Sequence, residues 1–212
     1  MNMLVLDDYR TIVEEICQLN WDGLNRQDLE TAALAYYYFS IQFRESLEVA
    51  CEMLPEDPKL ATLRREECDT ANLSPWPNVA QPGERMNHDE FMRRTVALVN
   101  ETPEWRTAVD AMGRTYLERT RGVDREAKAR SIASYEDGGL EAVFTAILRA
   151  PVWDGAALGA FRHFLTEHIR FDSDPDQGHG ALSRHLVPDG RVRPMWIAFR
   201  DLLTGAVPAL SA

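Results

Sequence analysis

The chain has 212 residues, 45% apolar and 27% charged, which is the composition of a globular protein with a full core and excludes extended disorder. Its net charge of -11 opposes phosphate backbones and anionic lipid surfaces, and no basic cluster with interleaved aromatics offsets it, so neither nucleic acid nor a membrane is an expected partner. No stretch approaches the roughly 20 apolar residues of a membrane span and no basic start precedes an apolar run, so a soluble, cytoplasmic protein is expected.

Apolar residues recur at three- and four-residue spacing, and no alternating strand pattern bounded by turns appears. The expected fold is therefore all-α, with about eight or nine helices in one domain over residues 1–212. The first helix is predicted over about Asp7 to Leu19. The second runs from near Arg26 to Leu54, apolar on several sides and hence central. Pro55 and Pro58 separate it from a third, Lys59 to Ala71. Prolines 75, 77 and 82 then forbid a regular element until about Glu84, where a fourth helix starts and continues to Asn100.

Thr102, Pro103 and Glu104 form a capped start for the fifth helix. The sixth is predicted over Asp124 to Leu148, weakened by Gly138 and Gly139. A seventh covers Gly155 to Asp172, SDPDQG interrupts it, a short helix contains His179 and His185, and a last one follows Pro194. Cys17, Cys51 and Cys68 are far apart and each lies in a helical pattern, so they read as small core residues rather than as a disulfide framework or a thiolate site.

Helical wheels place several charged residues among apolar ones. In the seventh helix His168 and Asp172 fall in the arc of Leu158, Phe161, Leu165 and Ile169, whereas His163 lies opposite and reads as a surface residue. His88 shares a stripe with Phe91 and Met92, Glu67 with Leu60 and Leu63, and Glu136 with Ile132 and Leu140; Glu66 lies towards the edge of its helix. A lone inward histidine is ordinarily a hydrogen-bonded core residue, and a lone inward glutamate is often paired with arginine or sits near a helix end. Five such residues together would carry the cost of burying charge repeatedly, several kcal/mol for each isolated carboxylate, and a shared cation would offset it. Histidine with carboxylate, and no inward thiolate of suitable spacing, favours iron or manganese over structural zinc. The Glu-x-x-His pairs of ferritin-like bundles are absent from the sequence.

REECDTAN, then NHDEF, then a Glu-bearing helix, then HIRFDSDPDQGHG together resemble the haem-oxygenase-like diiron oxidase family over roughly residues 30–185. The resemblance implies a haem-oxygenase-like helical bundle and makes Glu67, His88, Glu136, His168, Asp172 and His179 the ligands of two Fe(II) ions that react with O2. Two features depart from the family. An insertion bearing the three prolines separates Glu67 from His88, and His179 follows Asp172 by seven residues, a longer interval than the family's. On one straight helix His168 and His179 would stand about 16 Å apart, so the SDPDQG segment must fold back. Asp176 keeps the family's spacing to His179 and is the alternative to Asp172, with Asp174 nearby; Glu45 on the central helix is a possible additional ligand.

The resemblance further implies oxidation of a small aliphatic amino acid by C–H abstraction, with desaturation and azetidine ring formation as in an azetidine-forming branch of the family. It also implies an external electron donor and, by family habit, an intracellular homodimer. The alternatives are N-oxygenation or C–C cleavage of another amine or amino acid and, from another class, a metal-free helical interaction protein.

Overall fold

The computed structural model describes residues 9–100, 102–172 and 178–212. Ten α-helices follow one another among them: α1 (Tyr9–Cys17), α2 (Arg26–Met53), α3 (Pro58–Cys68), α4 (His88–Val96), α5 (Pro103–Arg121), α6 (Arg125–Glu136), α7 (Gly139–Ile147), α8 (Ala156–Asp172), α9 (His179–Ser183) and α10 (Arg193–Ala206). They enclose one hydrophobic core, and among the described residues there is no β-strand, only isolated bridges of Thr70 with Met86 and Trp76 with Ala80. Among the described residues no helix is long and apolar enough to cross a membrane.

α2 is the axis of the molecule. Asn25 and Asp28 close its first turn reciprocally, each side chain accepting from the other's backbone N–H. Burial on several sides follows from its run of alanine and aromatic residues, and it packs against α3, α4, α5, α6, α8 and α10. The Tyr36 ring lies within 5.4–6.3 Å of Phe39, Phe144, Phe161, Phe164 and Phe199, which joins α2 to α7, α8 and α10 in one aromatic cluster. Deeper along α2, Gln42 Oε1 accepts from the hydroxyls of Tyr116 (2.9 Å) and Tyr135 (3.2 Å), while its Nε2 donates to Ser46 Oγ at 2.7 Å. That satisfied interior network ties α5 and α6 to α2.

Three features differ from the sequence reading. The expected sixth helix is two, because Gly138 takes the left-handed conformation at φ 91°, which a residue with a side chain rarely adopts, and so ends α6 at Glu136. The fourth helix begins at His88 rather than near Glu84, since Met86 is held by its bridge to Thr70. His163 is half-buried instead of open to solvent: the proline-bearing loop lays Trp76 on its ring at a centroid distance of 4.3 Å, and Nε2 stands 3.1 Å from the Leu73 carbonyl. The three cysteines are free and pack partly buried against the core.

Candidate metal centre

Leu60, Leu63 and Glu67, at spacings of three and four, form the buried face of α3. His88 is the first residue of α4, Glu136 the last of α6 and His179 the first of α9; His168 lies one turn before the end of α8. All five are at most 6% exposed, so the structure brings them inward together.

The two carboxylates oppose the dipoles of their helices. Glu67 and Glu136 sit at C-terminal ends, where exposed carbonyls make a carboxylate less favourable. The arrangement calls for a cation beside the carboxylates.

Donor atoms of Glu67, His88 and His168 lie within 4.8 Å of one another, and so do those of Glu67, Glu136 and His179. Glu67 belongs to both groups. Its Oε2 stands 2.6 Å from His88 Nδ1, and its Oε1 stands 3.0 Å from His179 Nδ1 without hydrogen-bond geometry. His179 Nδ1 is also 3.3 Å from Glu136 Oε2.

The outer contacts of each ring fix which nitrogen faces inward. His168 Nδ1 donates to the Phe164 carbonyl at 2.8 Å, and its ring stacks on Phe164 with centroids 4.0 Å apart, so Nε2 presents its lone pair to His88 Nδ1 at 2.9 Å. His88 Nε2 donates to Asn72 Oδ1 at 3.1 Å. At His88 Nδ1, then, three lone-pair donors converge: that nitrogen, the Glu67 carboxylate and His168 Nε2. A metal ion accepts from all three atoms, and a histidine whose other nitrogen donates to a carbonyl or amide oxygen is the usual form of a metal ligand. The side chains fit a bound cation.

Titration behaviour agrees. Burial, reinforced by the neighbouring His88 ring, lowers the His168 imidazole to about 3, which keeps it neutral. Burial alone would raise the Glu67 carboxyl, but the facing His88 and His179 rings outweigh it and hold it well below its ordinary range. Burial and the adjacent Glu67 push the Cys68 thiol up to about 12, so it stands as a neutral thiol and belongs to neither donor group.

Of the other expected ligands, Asp172 closes α8 but its side chain, like Asp174 and Asp176, lies outside the described residues. Glu45 is not brought to the centre; its two oxygens accept from Arg121 Nε and Nη2 at 2.9 and 2.6 Å. Glu66 and Asn72 were not expected to take part. Glu66 Oε2 stands 3.3 Å from His179 Nε2, and Asn72 holds His88, so REECDTAN supplies one donor and two of the groups that orient its partners.

No protein-family model, curated protein or solved structure matches this chain. The chemistry of the site therefore rests on its own side chains.

Beside the donors lies a small cavity of about 20 Å³, room for roughly one water-sized group. Tyr36, Phe43, Leu140 and Phe164 give it an apolar wall.

Proposed function

We propose that the chain is a non-haem diiron oxidase of the haem-oxygenase-like type, acting with O2 on a small aliphatic amino acid. The observation that carries this reading is the double membership of Glu67, whose carboxylate faces one histidine pair, His88 and His168, and on its other oxygen the pair of Glu136 and His179. A carboxylate shared between two sets of nitrogen and oxygen donors is the arrangement that two like cations need, and those donor types suit iron.

Glu67, His88 and His168 would hold one ion, and Glu67, Glu136 and His179 the other. Two ferrous ions held there would supply oxygen activation and removal of hydrogen from an unactivated C–H bond. The protein's own part is positional. Phe164 and Asn72 keep the lone pairs of His168 and His88 turned inward, and the aromatic cluster around Tyr36 excludes water from the far side.

The test is to load the protein with Fe(II) without oxygen, add O2 with a panel of amino acids, and record the products by mass spectrometry. Loss of two hydrogens from valine or isoleucine supports desaturation or ring closure. Gain of oxygen on nitrogen moves the assignment to an N-oxygenase, and iron-free protein with no product returns it to a metal-free helical interaction protein.

A further inference from the structure

The proline-bearing segment between α3 and α4 contributes no donor atom to either group of the candidate centre, and neither does His163 of α8. The two are joined to each other, at the residue that adjoins Asn72.

Asn72 bridges two of the helices that carry the first donor group. Its Nδ2 donates to the Glu66 carbonyl of α3 at 3.4 Å, and its Oδ1 stands 3.1 Å from His88 Nε2 of α4. A carbonyl only accepts, so the Glu66 carbonyl takes the amide NH2 and turns the amide oxygen towards His88. An oxygen facing Nε2 calls for the proton on that nitrogen and leaves the lone pair on Nδ1, the atom that meets Glu67 and His168.

The next residue is tied to the third helix. Leu73 is buried, and its carbonyl accepts from His163 Nε2 at 3.1 Å. The His163 ring is itself fixed: Trp76 stacks on it with centroids 4.3 Å apart and planes 14° from parallel, and Phe91 of α4 lies 6.1 Å away. Asn72 and Leu73 are therefore bonded to α3, α4 and α8, the helices that carry Glu67, His88 and His168. The Trp76 stack alone would suffice to lay the segment on α8; the bond to the Leu73 carbonyl fixes where Asn72 stands.

We infer that His163 is a positioning residue of the first donor group: by holding the Leu73 carbonyl it keeps Asn72 against His88, and so keeps the His88 Nδ1 lone pair turned inward. This rests on the metal reading above and adds to it a residue that is not itself a ligand.

The experiment has two arms, both on the full chain. In the metal-free protein, nitrogen-15 NMR of the imidazole rings reads the tautomer of His88. The Nε2–H form is expected in the unmodified chain, and a mixture of both forms in His163→Phe, which keeps a ring for Trp76 but has no donor. His163→Gln, which restores a donor, should return the Nε2–H form. In the second arm, anaerobic Fe(II) titration of His163→Phe should show about tenfold weaker binding at the group of Glu67, His88 and His168, the lower end of the effect of losing an outer partner. Adding His163→Phe to Asn72→Ala should bring no further loss, because the two residues act in series. An Nδ1–H ring in the unmodified chain, a result that needs no variant, overturns the inference. So does an unaltered His88 in His163→Phe, or additive losses in the double variant, the mark of a merely structural role. The two proposals fail separately: a tautomer change in a chain that binds no iron removes the metal reading and keeps the tie to His88, and iron binding with an unaltered His88 does the reverse.

Discussion

His179 Nδ1 lies 3.0 Å from Glu67 Oε1, so a histidine from beyond the SDPDQG segment meets a carboxylate carried by α3. His168 reaches the same carboxylate from the other side through His88. The two histidines, eleven residues apart in the chain, thus serve opposite oxygens of one glutamate.

Glu66 orients His179 from outside. Glu66→Gln should weaken Fe(II) binding at the Glu136 and His179 side by about 10- to 100-fold, the effect of removing an outer partner of a ligand. Anaerobic Fe(II) titration reads this directly, and an unaltered isotherm would place Glu66 outside the site.

Gly180 permits the close approach of α9 to α6: a Cβ there would stand 2.9 Å from the Glu136 carbonyl oxygen. Gly180→Ala should push His179 away and reduce iron to the one ion held by Glu67, His88 and His168, while far-ultraviolet circular dichroism stays unchanged. Full iron content in this variant would show that α9 is not needed at that distance.

Acid should destabilise the metal-free protein through His168. Its folded value of about 3 lies below the ordinary 6.5, so between those values the unfolded chain binds more protons, and stability falls as the pH is lowered through that window. Thermal melts from pH 7 to pH 4 should show a shallower decline for His168→Phe; identical slopes would mean that the ring is charged in the fold.

Gln42→Leu should lower unfolding free energy by at least about 2 kcal/mol, because two buried tyrosine hydroxyls lose their acceptor. Denaturant unfolding measures it, and a change under half that size would show that water replaces the amide.

Helical periodicity made most of the fold readable, since a residue that shares a stripe with leucine and phenylalanine is buried whatever its charge. This is why Glu67, His88, Glu136 and His168 could be placed inward from sequence. The same method reads only a residue's own helix. It could not see that a loop would cover His163, or that Arg121 would draw Glu45 away. Gly138 signalled weakness, but whether a glycine bends or ends a helix depends on its φ, which sequence does not state. His179 came from resemblance alone, because a five-residue helix has no periodicity to analyse. Glu66 and Asn72 owe their roles to contacts with residues of other helices.

The sharing of Glu67 between two ions is tested most directly by iron content after anaerobic reconstitution of the unmodified chain, Glu67→Gln, His168→Ala and Glu136→Ala. The shared carboxylate predicts two irons per unmodified chain, loss of both in Glu67→Gln, and loss of one in each of the others. An iron-free unmodified chain, or variants that bind as much as it does, would contradict it.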